Sequence, residues 1–153
     1  MAVLQSTYSD TVAKAYAGMV ASGETSNRIS RTVEDSAGIT FGKPVYRGSG
    51  DHGCTATVGT LATFLGWTVA TSALAPSTDA DEYQQYDTAT IMTSGAIYVA
   101  VKGSVADGAA LTVGTGGGAA DLVGSTAADA THIATGWIAD ETVTDGLCRI
   151  VKR

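Results

Sequence analysis

The side chains best suited to chemistry in this chain are two cysteines and two histidines. His52 and Cys54 stand two positions apart in the segment GDHGC, and His132 and Cys148 lie much further along the chain. These four could supply a zinc set, but none of their spacings is that of a zinc finger. Cys54 with His132 could serve nucleophilic catalysis, yet no adjacent residues indicate an oxyanion hole. We therefore predict buried thiols, no metal and no catalytic residue, with a disulfide between the cysteines as the alternative.

A glycine-rich segment at residues 114–119 follows a candidate strand and imitates a dinucleotide-binding loop. A working loop of that kind lies in a strand–helix–strand unit, where the pyrophosphate meets a helix N-terminus. Gly124 interrupts any helix after this segment, and only 13 residues follow Asp140, the candidate ribose ligand. We therefore predict a surface loop here, and no cofactor.

The acidic segment STDADEYQQYD, residues 77–87, could be a cation site or a contact surface. A calcium loop counted from Asp79 would need glycine and glutamate where the chain has Gln84 and Thr90. An adventitious cation site is the remaining alternative on the metal side. Tyr83 and Tyr86 are predicted to contact a partner, with local packing under a loop as the alternative.

The charge distribution argues against a nucleic-acid partner, and the hydropathy pattern argues against a membrane span. The chain carries a net charge of −6, and residues 79–145 hold ten acidic side chains against one cation, Lys102. Such a field repels phosphate, so no direct nucleic-acid binding is expected. No stretch is long and apolar enough to span a membrane, and the first residues lack the regions of a secretory signal. We therefore expect a protein that starts in the cytosol.

The composition favours strands and turns in a single domain. The 153 residues include 19 glycines, only 16% are charged, and 44% are hydrophobic. From about Phe41 onward, short β-branched runs alternate with glycine turns, which predicts an all-β fold, a sandwich or a barrel. A hairpin is predicted over residues 87–102 with its turn at 93–95, and further turns at 106–108 and 145–146. Other strands are predicted at residues 64–70, 111–113, 131–139 and 147–151.

Residues 1–37 differ from the rest. Ser9 and Asp10 could cap a helix with Val12, Tyr16, Met19 and Val20 on one side, but Gly18 and Gly23 interrupt it. The segment SGETSNRISRTVEDSAG that follows contains too little apolar surface to bury a strand pair by itself. We predict that residues 1–37 form an extended N-terminal arm that finds its partners on a neighbouring subunit or another protein. The predicted β-sandwich domain then spans residues 38–153. An ordinary edge strand packed on its own domain is the alternative.

Several segments together resemble the structural cement, or head decoration, proteins of tailed bacteriophages. They are TYSDTVAKAYAGMVA, SNRISRTVED, ITFGKPVYRGSGDHGC, FLGWTVA and EYQQYDTATIMTSGAIYVAVKGSVADGAALTV. The resemblance covers most of residues 6–113. It implies an all-β fold, a small β-sandwich or jelly-roll-like barrel with an extended N-terminal arm. It further implies a non-enzymatic homotrimer made in the bacterial cytoplasm. It also implies a place on the outer surface of the icosahedral head, where the protein bridges neighbouring capsomers of the major capsid protein.

In that setting we predict the arm contacts at Tyr8, Tyr16, Met19, Arg28 and Arg31. Two other classes of function remain as alternatives. The first is a β-structured tail-associated or receptor-binding module of the virion, and the second is a small enzyme or ligand-binding domain. A cement protein is expected to bind expanded heads and ignore unexpanded ones, whereas a receptor-binding module is expected to attach to host cells.

Overall fold

The computed structural model describes residues 14–72, 81–115 and 123–153, and within these ranges it contains strands and no helix. No helix in the described ranges could therefore cross a membrane. The strands are β1 (Asn27–Val33), β2 (Ile39–Thr40), β3 (Pro44–Arg47), β4 (Gly53–Thr55), β5 (Phe64–Thr68), β6 (Glu82–Tyr83), β7 (Thr88–Val105), β8 (Ala110–Gly114), β9 (Val123–Gly124), β10 (His132–Ala139) and β11 (Val143–Lys152).

Strand β7 organises the sheet because it is long enough to pair with different strands along its two halves. Its first half pairs with both β1 and β5, so that β1, β4, β3, β5 and β7 close into a ring. Its second half pairs with β11, and the sheet continues through β10 and β8 to β9. Strands β2 and β6 form a separate pair. The prediction of an all-β, barrel-like fold is confirmed.

The predicted hairpin at residues 87–102 is wrong, because β7 runs through residues 93–95 without turning. Ser94 pairs with Asn27 of β1, and Gly95 pairs with Lys152 of β11. Both sides of the expected turn are therefore held in extended pairing by strands that lie far away in sequence.

The two other predicted turns have different outcomes. The turn at residues 106–108 is confirmed, with the Ala109 N–H donating to the Ala106 carbonyl at 3.1 Å. The predicted turn at residues 145–146 is instead a bulge inside β11, where the register shifts between Thr144 and Gly146. Asp145 has a positive φ of 45° there and accepts a hydrogen bond from the Gly103 N–H at 2.9 Å.

Two clusters of buried side chains form the core. The smaller cluster combines residues of the closed ring with Ile39 of β2 and Tyr83 of β6, and contains Val33, Ile39, Val45, Cys54, Tyr83, Ala89 and Ile91. The larger cluster contains Trp67, Val69, Met92, Ile97, Val99, Val101, Val105, Leu111, Val113, Val123, Trp137, Ala139, Cys148 and Ile150. Because β7 contributes to both clusters, the two halves of the fold share one continuous strand.

A row of four aromatic rings runs from the ring of strands into the larger cluster. Tyr46 and Phe64 meet edge to face with their centroids 5.5 Å apart, and Phe64 meets Trp67 at 5.8 Å. Trp67 in turn meets Trp137 of β10 at 6.3 Å and 89°. Such edge-to-face contacts stabilise aromatic pairs beyond the burial of their surface. The row therefore ties β3 and β5 to β10.

The described part of the predicted arm lies on the sheet of its own chain. Residues 27–33 form β1, and Val33 is completely buried. Further towards the N-terminus, the Gly18 N–H and the Met19 carbonyl form hydrogen bonds with the backbone of Tyr98 at 2.8 and 2.9 Å. The alternative of a strand packed on its own domain therefore describes residues 27–33. Strands β4 and β7 supply the apolar surface that this segment lacks by itself.

The carboxylate of Glu34, just after β1, holds the loop between β3 and β4. It accepts hydrogen bonds from the backbone N–H and hydroxyl of Ser49 at 2.8 and 2.9 Å, and from the Gly50 N–H at 2.8 Å. A Cβ placed on Gly53 would lie 1.6 Å from Glu34 Oε1, so the carboxylate fits only against a bare backbone. The end of β1 and this loop therefore stabilise each other.

Acidification is expected to remove this contribution. The Gly50 and Ser49 N–H groups and the Ser49 hydroxyl hold the pKa of Glu34 below its usual 4.5. A carboxyl with a lower pKa in the folded state stabilises the fold above the unfolded value, and loses this effect as pH falls through the folded pKa. The difference in free energy of unfolding between wild type and Glu34→Gln should therefore be largest near neutral pH and shrink below pH 4.5.

Urea titrations at several pH values measure this difference. Asp129→Asn is the matched control, because hydrogen bonds from Thr131 and His132 lower the pKa of Asp129 to about 2. The difference in free energy of unfolding between wild type and Asp129→Asn should persist to lower pH than the difference for Glu34→Gln. A Glu34→Gln difference that stays constant from neutral to acid pH would contradict the assignment.

Candidate functional site

Neither cysteine is placed for chemistry. Cys54 and Cys148 are both free, both fully buried, and belong to different core clusters. Burial is the main cause that raises the pKa of each thiol to about 11. Both are therefore protonated at neutral pH and poor nucleophiles. The expectation of buried thiols is confirmed, and the disulfide alternative is not what the structure contains.

The two histidines lie in separate polar contacts. His52 Nδ1 is 3.0 Å from a guanidinium nitrogen of Arg31, which can only donate, so Nδ1 is the acceptor. His132 Nδ1 lies 3.1 Å from the Asp129 carboxylate. Among the described residues, no three His, Cys, Asp or Glu side chains come together as a metal site would require.

The glycine-rich and acidic segments are only partly described. Gly114 ends β8, where it pairs with His132 of β10, and residues 116–122 lie outside the described ranges. Of the acidic segment, Asp79 lies outside the described ranges and Glu82 belongs to β6. No nucleotide-binding or calcium-binding geometry is assembled from the described parts of these segments.

The concave feature that stands out is an apolar groove, which we call the Tyr16 groove. Its volume is about 420 Å³, and its lining includes Tyr16, Phe41, Pro44, Val101 and Val123. Tyr16 is 60% exposed although it lines the groove. The groove therefore presents apolar surface to solvent without burying it.

Two glycines allow the walls of the groove to approach each other. A Cβ on Gly18 would lie 2.9 Å from the Gly42 nitrogen, and one on Gly42 would lie 2.7 Å from the Gly18 nitrogen. The carbonyl of Gly18 also accepts a hydrogen bond from the Ala70 N–H at 2.8 Å. These contacts fix the segment that carries Tyr16 against the turn between β2 and β3.

Three charged side chains also line the groove. They are Lys43, Asp81 and Lys102. Neither lysine forms an ion pair with any residue in the described ranges. Lys102 is also the one cation of the acidic stretch 79–145. A mostly apolar lining with a few charged groups is suited to binding a protein surface, because protein interfaces combine apolar contacts with polar ones.

The five residues predicted as arm contacts lie in different surroundings. Tyr16 lines the groove, and Arg28 is exposed on β1. Met19 and Arg31 are half-buried, Met19 in the segment that pairs with β7 and Arg31 against His52. Tyr8 lies outside the described ranges. The groove therefore gathers one member of the predicted set, and the others lie apart from its lining.

Tyr83 and Tyr86 have opposite surroundings, which corrects the prediction for Tyr83. Tyr83 is 1% exposed, its hydroxyl donates to the Val69 carbonyl at 2.6 Å, and its ring meets Phe41 edge to face. It is a core residue, because β6 packs its side chain into the smaller cluster. Tyr86 is 76% exposed and stays a candidate contact.

A second concave surface contains residues that the sequence did not single out. It is an open cleft of about 490 Å³ between the loop at residues 59–61 and the start of β10. Leu61, 58% exposed, and Ile133 are its large apolar members. The GTL tripeptide at residues 59–61 gives no motif that would have indicated this surface. The exposed leucine is recognisable only after the fold is known.

The described residues thus form an all-β scaffold with an apolar groove, and both cysteine thiols are buried in the core. The model of the structural cement protein family (E217 gp24/Pam3 gp6) matches residues 4–152. The chain therefore belongs to this family of structural phage proteins, and the resemblance seen in the sequence is confirmed. Comparison with curated proteins gives no match.

Solved structures support the fold. The chain is similar to a protein in the capsid of Myoviridae phage XM1, with a TM-score of 0.74 and 12% identity over 98% of this chain and 97% of that chain. It is also aligned with the N base of head fiber gp8.5 of bacteriophage phi29, with 14% identity over 84% of this chain and 95% of that chain. That second TM-score, 0.46, is too low to carry an argument. At these identities the similarity concerns the fold alone.

Proposed function

We propose that this phage structural protein is a non-enzymatic cement protein on the outer surface of the head. It binds the major capsid protein through the Tyr16 groove and, as a homotrimer, bridges adjacent capsomers. The observation that carries the proposal is the groove itself. It has a volume of about 420 Å³ and a mostly apolar lining, and Tyr16 within it stays 60% exposed. Exposed apolar surface of this kind gains free energy when a partner removes it from water.

A bridging protein of this type needs only modest contacts. Any molecule that binds the assembled shell, and not the separated subunits, stabilises the assembly by mass action. Each contact can be weak, because several copies bound to linked subunits act together. Packaged DNA presses outward on the shell, so a clamp across capsomers opposes the motion that would separate them.

The remaining predicted contacts fit the same proposal. Arg28 is exposed on β1, and Tyr8 belongs to the N-terminal residues that precede the described range. The net charge of −6 supports a protein partner over the packaged nucleic acid. Residues 1–13 are proposed to act as the arm that reaches a neighbouring subunit.

Co-sedimentation with purified heads tests the function. The full-length protein is mixed with expanded and unexpanded heads, the particles are pelleted, and the bound fraction is measured against protein concentration. We expect saturable binding to expanded heads and none to unexpanded heads, because a bridging site forms only when subunits reach their mature positions. Attachment to host cells with no binding to either particle would instead favour a receptor-binding module.

The groove is tested by Tyr16→Ala. Because the ring is 60% exposed, its loss should leave the melting temperature nearly unchanged. Affinity for expanded heads should fall at least about tenfold, or ~1.4 kcal/mol, if the ring is buried on binding. Leu61→Ala is the matched control, since it removes a side chain that is 58% exposed in the other cleft. Equal losses from both variants would contradict the assignment to the groove.

A further inference from the structure

Tyr86 occupies a backbone conformation that a tyrosine rarely adopts. The Asp87 N–H donates to the Gln84 carbonyl at 3.0 Å, so residues 84–87 form a β-turn with Tyr86 at its third position. Its φ is +70°, and Gln85 before it has no positive φ, which is the pattern of a type II turn. The third position of that turn favours glycine, because a side chain there crowds its own backbone.

The turn is held firmly in this strained form. The Tyr86 N–H donates to the Val33 carbonyl at 2.9 Å, and the Val33 N–H donates to the Asp87 carbonyl at 3.0 Å. The Gln85 side-chain amide also donates to the Glu34 carbonyl at 3.1 Å. The turn is therefore docked on the end of β1 at three points, and Tyr86 is presented from a fixed backbone.

The Tyr86 ring is mostly exposed to solvent. Tyr86 is 76% exposed, the largest value among the exposed large hydrophobic residues of the described ranges. Within those ranges no ring contact and no hydrogen bond involves its side chain. The backbone of Tyr86 is therefore strained, and its side chain gains no contact from the described residues in return. This combination indicates a role in binding another molecule.

We propose that Tyr86 is a preorganised anchor that inserts into an apolar socket of the major capsid protein. This inference rests on the proposed function and adds a specific contact to it. Asp81 lines the Tyr16 groove, and five residues of chain can span at most about 18 Å between Asp81 and Tyr86. An interface of standard size buries about 800 Å² on each partner and is roughly 30 Å across. The distance from Asp81 to Tyr86 is therefore smaller than the width of such an interface.

A tyrosine is well suited to such a position. It buries a large ring at the cost of ordering few torsions, and its hydroxyl can still reach a polar group at the edge of the socket. Because the turn fixes the backbone beforehand, less conformational freedom is lost on binding.

Tyr86→Gly separates this role from a structural one. The variant removes the strain, so its melting temperature should equal or exceed that of wild type. Its affinity for expanded heads in the co-sedimentation assay should fall at least tenfold. Tyr86→Asn is the second variant, because asparagine tolerates a positive φ and keeps the turn without the ring. It should lose affinity in the same way, whereas Tyr86→Phe, which keeps the ring, should retain most of it.

Several results would overturn the proposal. A marked loss of thermal stability in both Tyr86→Gly and Tyr86→Asn would mean that the ring supports its own turn. Wild-type affinity for heads in both variants would mean that no partner buries it there. If these variants differ from wild type in their mass in solution but bind heads equally well, the ring belongs to a contact between copies of this chain. If wild type itself fails to bind heads, the proposed function and this inference both fail. If Tyr16→Ala lowers the affinity for heads and Tyr86→Gly does not, only this inference fails.

Discussion

Gly66→Ala is expected to lower the free energy of unfolding by at least about 3 kcal/mol, enough to leave much of a marginally stable domain unfolded. Gly66 lies in β5 with a φ of +153°, in a region that side chains rarely adopt. A Cβ at this position would lie 2.0 Å from the carbonyl oxygen of Met92 in β7. That oxygen belongs to a backbone paired on both sides, so it cannot move aside. The alanine would have to separate β5 from β7 and open the closed ring.

Gly103→Ala is the matched control for this substitution. Gly103 also has a positive φ, 75°, but nothing lies within 4 Å of a Cβ placed on it. It should therefore show only the backbone cost of a left-handed alanine, about 1 kcal/mol. Denaturant titrations of the three proteins measure both differences. Similar losses for the two variants would mean that the close contact with Met92 is unimportant.

Trp67→Ala is the second substitution with a large expected effect, a loss of about 3–5 kcal/mol. Trp67 is completely buried and stands in the middle of the aromatic row, between Phe64 and Trp137. Its loss would leave a cavity and break two edge-to-face contacts at once. Because the row connects β5 with β10, both halves of the sheet should lose stability together.

Trp67→Phe is the informative comparison. The Trp67 indole N–H has no hydrogen-bond partner within the described ranges, so phenylalanine removes an unsatisfied donor while keeping much of the ring. Its loss of stability should be well below that of the alanine variant. Fluorescence of Trp137 remains available to follow unfolding in both. If unfolding of Trp67→Ala splits into two transitions, the two halves are less coupled than the shared strand β7 indicates.

Both substitutions bear on the proposed function as well as on folding. The groove and the Tyr86 turn are formed where segments from distant parts of the chain meet, so they keep their shape only if the sheet is rigid. A cement protein that bends under load would transmit little force between capsomers. We therefore expect that variants which open the closed ring also lose head binding, whereas Tyr16→Ala and Tyr86→Gly lose binding with the fold intact.

Much of the fold class could be read from local patterns. Alternating apolar residues identified the strand at residues 131–139, which is β10, and the β-branched run at 147–151, which lies in β11. The turn at residues 106–108 was also recognisable, because its residues need no distant partner to bend the chain. These features depend on the side-chain period and on turn chemistry, which are properties of a few neighbouring residues.

Two features of the structure were not readable from local patterns, and both depend on pairing with distant strands. Residues 93–95 have a turn-like composition, but β1 and β11 hold them extended inside β7. Residues 27–33 have too little apolar surface for a strand pair by themselves, and β4 and β7 complete their burial. Local composition could not predict either outcome.

The sequence by itself determined an all-β chain with an acidic balance, no catalytic motif and membership of the cement family. Tertiary structure alone decided where apolar surface stays exposed. Tyr83 and Tyr86 are three residues apart and chemically identical, yet one is 1% and the other 76% exposed. Burial depends on which distant strands cover a residue, and a single sequence does not contain that contact list in readable form. The groove, the two lysines in its lining and the strained tyrosine all follow from that arrangement.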